Sequence, residues 1–340
     1  MNRAAPRARV WRSIIVASAG LVFASCGTVT SNAPATLDGV PSISISVPLR
    51  LTACTGDNSC VALGTTGTQS VGELRGPNGV WTSLAVPSAL SSQLTSSSCW
   101  TGGCLIVGAL TSGDLVWRYD HSTSTMATAR APGGGKGALA ISCFAEEACA
   151  VVDSTGVAGT DRLNFTSDAG ASWSTPVALA WTAGLSIDSL ACSDQLDCLA
   201  SASAPHTSAL LEVTHDAGLT WTVRATPSSW LVVDSLSCAQ RTCQALAHGA
   251  NADVVARSTT FARTWRQWTL AARARALACT VSARCVVVGE RTDSGWLATW
   301  HRATISPVAL RYVPSTLTSS ACGTKVCAAV ANSTVVSTRP

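Results

Sequence analysis

The chain has 340 residues, of which 47% are hydrophobic and only 12% are charged. This excludes a charge-rich disordered chain, and the scarcity of Glu and Lys argues against a coiled coil. The net charge of +4 comes from Arg3, Arg7, Arg9 and Arg12, because 23 basic residues less these four leave 19 against 19 acidic ones. The remaining body is electrically neutral and has no general charge for binding nucleic acid.

Residues 1–25 have the pattern of an export signal. A basic leader precedes an apolar run of eleven residues from Ile14 to Ala24. As a helix this run rises about 16 Å, roughly half of the ~30 Å apolar core of a bilayer, so it is too short to span a membrane. The segment FASCG resembles a bacterial lipobox, which implies that Cys26 is lipidated. The alternative is an ordinary signal cleaved near Ser25.

Residues 26–41 are rich in Ser, Thr and Pro and indicate a flexible tether. A lipidated Cys26 would hold the protein on the outer face of the cell membrane through its acyl chains. The next segment, SISISV at 42–47, alternates apolar and polar side chains, which predicts a half-buried strand. We expect this strand to complete the last of the repeats described next, although it could also continue the tether.

The remaining fourteen cysteines form seven pairs whose members are separated by four or five residues. The pairs are Cys54/Cys60, Cys99/Cys104, Cys143/Cys149, Cys192/Cys198, Cys238/Cys243, Cys279/Cys285 and Cys322/Cys327. Their first members recur every 41 to 49 residues. This period matches a four-stranded propeller blade, so residues 42–340 are predicted to form an all-β, seven-bladed β-propeller.

Within the repeats, short segments rich in Val, Leu, Ala and Thr are separated by Gly, Asp, Asn or Pro. This pattern predicts four antiparallel strands per blade, which we name A to D from the central channel outward. Each cysteine pair then brackets the A–B turn. The last repeat has segments for A, B and C only, so the strand at 42–47 is expected to supply its outer strand.

Paired cysteines suit either zinc or disulfides. Structural zinc sites bring two pairs together, usually with two to four residues between the ligands of a pair. Seven separate pairs in an exported chain favour one disulfide per blade, because the compartment is oxidising. A bridge that closes a loop of about seven residues stabilises the fold by roughly 2 kcal/mol. We therefore expect structural disulfides and neither metal nor cofactor.

Two repeats carry a further motif where strand C turns into strand D. The segments TSDAGASW at 166–173 and THDAGLTW at 214–221 resemble the Asp-box, or BNR, repeat of sialidase-like propellers. In such a turn the Asp carboxylate caps the backbone, the Gly supplies a positive φ, and the Trp packs beneath the hairpin. The residues assigned to these turns are Asp168, Gly170, Trp173, Asp216, Gly218 and Trp221.

The D–A and B–C connections of a propeller share one face, and ligands usually bind there. We expect the densest polar group on this face to come from the fifth and sixth repeats. Its members are Trp230, His248, Asp253, Arg273, Arg275, Glu290, Arg291 and Asp293. Guanidinium groups beside an aromatic ring can hold a carboxylate, phosphate or sugar. The alternative is a solvated surface with local ion pairs. Gly133–Gly135 lacks the context of a phosphate-binding loop and is interpreted as a loose connector.

One functional hypothesis follows from the Asp-box resemblance, which implies a glycoside hydrolase such as a sialidase. A sialidase requires three arginines, a Tyr nucleophile and an acidic proton donor. The two tyrosines, Tyr119 and Tyr312, fall on predicted outer strands. Other glycosidases use two facing carboxylates, for which Glu290 with Asp253 or Asp293 is the plausible pair.

The favoured hypothesis is a non-catalytic interaction module. The repeat layout is similar to that of sortilin ectodomains and of the cyanobacterial photosystem-assembly lipoprotein, both of which bind polypeptides. We expect an envelope or extracellular protein or glycan as the partner, and no nucleic acid. The module would act on the outer face of the cell membrane as a lipoprotein, or alternatively as a secreted protein.

Overall fold

The computed structural model describes residues 48–65, 69–76, 78–88, 93–157, 160–179, 185–203, 208–292, 294–308, 316–331 and 334–338. The predicted export signal, the tether with Cys26 and the strand at 42–47 lie outside these residues. In the described part, 27 strands form seven antiparallel sheets. No helix in this part is long and apolar enough to cross a bilayer. The predicted all-β, seven-bladed propeller is confirmed.

The first four blades each contain four strands, with strand A on the channel side. Blade one comprises β1 (Leu51–Cys54), β2 (Cys60–Thr65), β3 (Ser70–Arg75) and β4 (Trp81–Leu84). Blade two comprises β5 (Gln93–Cys99), β6 (Gly103–Leu110), β7 (Gly113–Asp120) and β8 (Thr125–Thr128). Blade three comprises β9 (Gly137–Ala145), β10 (Ala148–Ser154), β11 (Arg162–Thr166) and β12 (Val177–Ala178). Blade four comprises β13 (Ser186–Cys192), β14 (Cys198–Ser203), β15 (Leu210–Thr214) and β16 (Thr222–Arg224).

Blades five and six repeat the same order, whereas blade seven has three strands among the described residues. Blade five comprises β17 (Trp230–Ala239), β18 (Thr242–Gly249), β19 (Asp253–Ser258) and β20 (Arg266–Thr269). Blade six comprises β21 (Arg273–Cys279), β22 (Arg284–Arg291), β23 (Ser294–His301) and β24 (Thr304–Pro307). Blade seven comprises β25 (Ser319–Cys322), β26 (Cys327–Ala331) and β27 (Thr334–Thr338).

The core lies between the blades. Among the described residues, each pair of neighbouring blades encloses one cluster of buried apolar side chains. The cluster that closes the ring packs Leu49 and Trp81 against Val330 and Val335 of blade seven. Each fully buried Val or Leu contributes about 1.5–3 kcal/mol. The described residues therefore close the circle through side-chain packing between the last blade and the first.

Serine hydroxyls connect the inner strands of neighbouring blades. Ser98 Oγ accepts a hydrogen bond from the amide of Cys143 over 2.8 Å. At the closure of the ring, Ser319 Oγ accepts one from the amide of Thr52 over 3.2 Å. The inner strands approach too closely for large side chains, and a short hydroxyl both fits and satisfies a backbone donor. This explains why Ser and Ala predominate in strand A.

One disulfide closes the A–B turn of each blade, as the cysteine spacing predicts. The bridges are Cys54–Cys60, Cys99–Cys104, Cys143–Cys149, Cys192–Cys198, Cys238–Cys243, Cys279–Cys285 and Cys322–Cys327, with Cα–Cα distances between 3.9 and 4.1 Å. In every blade the two bonded cysteines are directly opposite each other in the A–B strand pair. Each bridge is therefore a local clamp within a blade and makes no connection between blades.

The second cysteine of each pair differs from a simple turn residue, because it also belongs to the core. These residues are at most 1% exposed: Cys60, Cys104, Cys149, Cys198, Cys243, Cys285 and Cys327. Each lies in one of the apolar clusters between blades. Cysteine packs well there, since it behaves as a small apolar side chain. The prediction that these cysteines bracket a turn is confirmed. The structure adds that the second cysteine of each pair is also a core residue.

Candidate functional site

The A–B and C–D turns of a blade lie side by side on one face of the ring. In blade three the amide of Ala169 donates to the carbonyl of Glu147 over 2.9 Å. In blade five the amide of Phe261 donates to the carbonyl of Arg241 over 3.0 Å. Each bond joins a C–D turn to the A–B turn of the same blade. We call this side the turn face, and we call the opposite side, with the D–A and B–C connections, the loop face.

The two segments that resemble the Asp-box form capped turns on the turn face. Asp168 Oδ1 accepts hydrogen bonds from the amide of Ser172 and the hydroxyl of Thr166, both over 2.8 Å. The Ser172 hydroxyl donates to the second carboxylate oxygen. The three donors together, with the Ser172 hydroxyl contributing most, lower the pKa of Asp168 to about 2. Gly170 has a φ of +81°, which favours glycine. Asp216 makes the corresponding contacts in blade four. These carboxylates cap turns, on the side of the ring away from the predicted ligand face.

A cavity of about 840 Å³ opens on the loop face between blades five and six. The D–A connection between the two blades and their B–C connections form its wall. Six of the predicted ligand-face residues line it: His248, Asp253, Arg273, Arg275, Glu290 and Arg291. Asp234, which the sequence pattern did not single out, lines it as well. We call this cavity the blade 5–6 pocket.

His248 is held between two carboxylates in this pocket. Its Nε2 lies 2.7 Å from Asp234 Oδ2, and its Nδ1 lies 2.8 Å from Asp253 Oδ1. The hydrogen bond to Asp234 raises the pKa of His248 to about 9 against the opposing effect of burial, with Asp253 adding to the rise. The imidazole is therefore protonated at neutral pH and donates from both nitrogens. Asp253 also accepts the amide of Ala274 over 2.7 Å, which joins the group to blade six.

Glu290, the third carboxylate of the pocket, also has hydrogen-bond partners. Glu290 Oε1 accepts a hydrogen bond from Arg275 Nη2 over 3.2 Å, and its second oxygen accepts the hydroxyl of Thr316. The Thr316 hydroxyl and the Arg275 guanidinium lower the pKa of Glu290. In contrast, Arg273 and Arg291 are exposed, and neither forms an ion pair within the described part of the chain. The charge of Arg273 nevertheless adds to the lowering of the Glu290 pKa.

Two predicted ligand-face residues do not line this pocket. The prediction that Trp230 is a ligand-face residue is wrong, because Trp230 begins the inner strand β17 and is 0% exposed. Its ring packs against Trp265 at 5.4 Å, and its Nε1 donates to Gln267 Oε1 over 2.9 Å. The bulk of Trp230 serves the core between blades four and five. Asp293 lies outside the described residues.

A second cavity, of about 640 Å³, is the central channel. Its loop-face end is surrounded by the residue four positions before the first cysteine of each pair: Arg50, Thr95, Leu139, Asp188, Asp234, Arg275 and Thr318. Register shifts make five of these residues β-bulges. In the A–B strand pairs of blades one and seven, the amide of Arg50 donates to the carbonyl of Leu63 and the amide of Thr318 donates to the carbonyl of Val330. A bulge turns an extra side chain toward the channel. Alignment of the repeats on their cysteines would have found this ring.

The last glycine of the run on the loop face, Gly135, is closely packed against two neighbouring blades. The amide of Lys136 donates to the carbonyl of Ser154 over 2.6 Å. A Cβ placed on Gly135 would lie 1.7 Å from Asp153 Oδ1 and 2.4 Å from Asp114 Oδ1. Only glycine leaves room for both carboxylates. The interpretation as a loose connector is therefore wrong for Gly135, whereas Gly133 and Gly134 are exposed and a Cβ on Gly133 would meet nothing within 4 Å.

These two carboxylates, from blades two and three, lie close together at Gly135, and neither oxygen of Asp114 nor Asp153 Oδ1 has a hydrogen-bond partner within the described residues. Burial and the neighbouring Asp114 raise the pKa of Asp153, which is 0% exposed, to about 7. Arg162 Nη2 donates to Asp153 Oδ2 over 2.7 Å and offsets part of this rise. Asp153 is therefore protonated below about pH 7. Within the described residues, no group of three or more His, Cys, Asp and Glu side chains could hold a metal ion.

No sequence-family profile and no curated protein sequence matches the chain. Many solved structures share its fold. YCF48 bound to D1 peptide has 13% identity and a TM-score of 0.61, over 90% of this chain and 96% of that one. Virginiamycin B lyase from Staphylococcus aureus, solved with quinupristin, has 9% identity and a TM-score of 0.65, over 89% and 98%. The GH74 xyloglucanase of Xanthomonas campestris has 12% identity and a TM-score of 0.61, over 90% of this chain and 54% of that one. At these identities the likeness shows the propeller fold alone.

Proposed function

We propose that this protein is a non-catalytic binding module whose blade 5–6 pocket takes an acidic segment of an envelope or extracellular protein. The observation that carries the proposal is the pair of exposed guanidinium groups, Arg273 and Arg291, which form no ion pair in the described part of the chain. Guanidinium groups bind carboxylates through paired, charge-assisted hydrogen bonds. The free positive charge at the pocket favours an acidic ligand.

The state of the other charged groups favours binding over glycoside hydrolysis. A glycosidase needs one carboxylic acid that keeps its proton near neutral pH. The pKa of Glu290 is lowered, and Asp253 accepts hydrogen bonds from His248 and Ala274. His248 is fully paired and protonated, so it is a poor general base. The groups of this pocket hold fixed charges, which suits recognition.

The comparisons support both hypotheses at the level of fold. One similar structure has a bound peptide, and others are glycoside hydrolases. A fungal lectin, from Aleuria aurantia, is also similar, with a TM-score of 0.54. Propellers of this type therefore bind peptides and glycans on one scaffold, and function depends on the side chains of the particular loop face. For this chain those side chains favour an acidic polypeptide.

The seven disulfides indicate an exported environment, because such bridges persist in oxidising compartments. We further propose that Cys26 carries the acyl chains that hold the module at the outer face of the membrane. A Cys26→Ser variant tests this in cells that process lipoproteins. We expect wild type to partition into detergent and the variant to be released. Equal partitioning of both would contradict the lipid anchor.

The binding proposal is tested by panning a displayed random-peptide library on the full, oxidised chain. We expect enrichment of Asp- and Glu-rich peptides. Arg273→Ala/Arg291→Ala should weaken their binding about tenfold or more. The matched control is Arg263→Ala/Arg302→Ala, which removes two exposed arginines from the turn face of the same blades. Binding that is lost in the control, or retained in the loop-face variant, would contradict the proposal.

The hydrolase alternative has its own test on the same material. Wild type and Glu290→Gln are incubated with a panel of chromogenic glycosides. We expect no turnover by either protein. Turnover by wild type that disappears in Glu290→Gln would replace the binding proposal by a hydrolase with Glu290 in its active site.

A further inference from the structure

The charges around the loop-face end of the central channel are segregated. Carboxylates occupy the bulge positions of two adjacent blades, at Asp188 and Asp234. Guanidinium groups occupy the equivalent positions of blade six and blade one, at Arg275 and Arg50. The equivalent residues of the other three blades are uncharged. One side of the opening is therefore negative and another side is positive.

The negative side lacks a counter-charge at one carboxylate. Asp188 is partly exposed, and its Oδ2 has no hydrogen-bond partner in the described part of the protein. Burial raises the pKa of Asp188 to about 6, with Asp234 adding to the rise and the Ser203 hydroxyl opposing it. A partly buried carboxylate beside a second carboxylate gains most from a positively charged partner.

The positive side also retains a free charge. Arg50 is exposed and forms no ion pair within the described residues. Arg275 shares its guanidinium with Glu290 across a 3.2 Å contact whose partners are 44% and 27% exposed. Such an exposed pair is worth little, so Arg275 can exchange it for a ligand carboxylate at small cost.

We propose that the channel binds a small zwitterion of the size of an amino acid or short peptide. Its ammonium group contacts Asp188 and Asp234, and its carboxylate contacts Arg275 and Arg50. The channel volume of about 640 Å³ lies in the roughly 300–1,000 Å³ range of small-molecule sites. A metal cation would use only the negative side, and phosphate would use only the positive side. The zwitterion is the ligand class that uses both.

This site does not depend on the proposed function. The blade 5–6 pocket shares Asp234 and Arg275 with the channel, whereas Asp188 and Arg50 line the channel alone. Variants at Asp188 and Arg50 therefore report on the channel. The variants at Arg273 and Arg291, tested with acidic peptides, report on the pocket. Either proposal can fail without the other.

Isothermal titration calorimetry on the full chain tests the zwitterion site with dialanine as the probe. N-acetyl-dialanine lacks the ammonium group, and dialanine amide lacks the carboxylate. We expect dialanine to bind and both blocked forms to bind at least about tenfold more weakly. Calcium chloride and sodium phosphate serve as probes of each charged side alone, and neither should compete with dialanine at equal concentration.

Variants locate the site within the channel. Asp188→Asn and Arg50→Gln preserve shape, and each should weaken dialanine about tenfold or more. Glu146→Gln is the matched control, because Glu146 lines the same channel at the turn-face end and should leave affinity unchanged. Circular dichroism verifies that each variant is folded, and the blocked peptides test the same charges in wild type.

A proton count provides a further readout. An ammonium group beside Asp188 lowers the pKa of that carboxyl, so binding at pH 6 should release protons. The release is measured by repeating the titration in buffers of different ionisation enthalpy and comparing the heats of binding. Asp188→Asn should abolish this release. The proposal is overturned if dialanine fails to bind at millimolar concentration or if N-acetyl-dialanine binds equally. It is also overturned if Glu146→Gln weakens binding as much as Asp188→Asn, or if calcium or phosphate alone displaces dialanine.

Discussion

The turn face and the loop face of the ring are built from different kinds of contact. On the turn face each A–B turn is closed by a disulfide between opposite residues, and in blades three and four the adjacent C–D turn is capped by Asp168 or Asp216. On the loop face the contacts are between charged side chains of neighbouring segments, such as His248 with Asp234 and Asp253. Several loop-face charges, among them Arg273 and Arg291, have no ion-pair partner within the described residues.

The difference shows how the scaffold divides its tasks. The disulfides of the turn face are local in sequence and are repeated in every blade, so they fix the strands. Ion pairs such as His121 with Asp57 also connect neighbouring blades there. The loop-face contacts differ from blade to blade, because each connection has its own length and charges. Loops positioned by a rigid scaffold are where binding residues concentrate. Reduction of the disulfides disturbs the turn face, whereas substitutions at His248 and Asp153 disturb two separate regions of the loop face.

Reduction of the disulfides should have the largest effect. Each bridge contributes about 2 kcal/mol, so loss of all seven should remove on the order of 10 kcal/mol, comparable with the whole stability of a typical domain. We expect the reduced protein to be unfolded or to melt at a far lower temperature, as measured by circular dichroism in the presence and absence of reductant. An unchanged melting curve after complete reduction would show that the turn-face clamps are dispensable.

His248→Gln should destabilise the loop face between blades five and six. The folded pKa of about 9 lies above the unfolded value near 6.5. The ion pairs therefore stabilise fully below pH 6.5, and this contribution disappears as pH rises through 9. We expect a loss of about 1–3 kcal/mol at pH 6, measured by urea unfolding, and a much smaller difference at pH 10. A pH-independent loss would indicate that His248 acts through packing alone.

Asp153→Asn should act in the opposite direction at neutral pH, in the contrasting region between blades two and three. The raised pKa of Asp153 means that the native protein favours the protonated acid, so wild-type stability falls as pH rises from about 4 through 7. The variant lacks this cost and should be more stable than wild type at pH 8 by about 1–2 kcal/mol.

Asp114→Asn provides the control for that comparison. It removes the neighbouring carboxylate but leaves Asp153 buried, and burial is the larger cause of the raised pKa, so it should flatten the pH dependence only in part. The double variant should gain little beyond Asp153→Asn. Urea unfolding of all four proteins at pH 5 and pH 8 measures this. Additive gains would show that Asp114 affects stability independently of Asp153.

The smallest effect is expected from completing the imperfect motif of blade five. Thr260 stands where the Asp-box has Asp, and its Oγ1 already accepts the amide of Thr264 over 3.0 Å. A carboxylate in Thr260→Asp can accept the same amide and the Thr264 hydroxyl, as Asp168 does in blade three. We expect a gain of about 0.5 kcal/mol, measured by urea unfolding. Thr259→Asp, the same substitution at an exposed neighbouring position, should give none.

The sequence predicted the features whose residues are close together along the chain. Seven cysteine pairs at a regular period were sufficient for the blade count, the A–B turns and the disulfides. The clustering of His248, Arg273 and Glu290 was also predictable, because the strand order brings their connections to one face. The prediction failed for Trp230, because a single large side chain at the start of an inner strand can face either the core or the solvent.

Other features depend on packing that one repeat does not reveal. The burial of the second cysteine of each pair, such as Cys104 or Cys243, depends on the neighbouring blade. Asp234 and Asp188 occupy bulges, and a bulge appears only when the register of strands A and B is known. The contact of Gly135 with carboxylates likewise joins segments of two blades. Alignment of all seven repeats on the cysteines identifies the equivalent positions, but not the register shift or the side-chain direction at them.

The most direct test of the account is an arginine footprint of the protein bound to an enriched acidic peptide. Phenylglyoxal modification is followed by mass spectrometry with and without saturating peptide. We predict that the peptide protects Arg273 and Arg291 on the loop face, while Arg263 and Arg302 on the turn face react equally in both states. Protection of Arg263 and Arg302, with Arg273 and Arg291 still reactive, would contradict the assignment of the loop face as the binding surface.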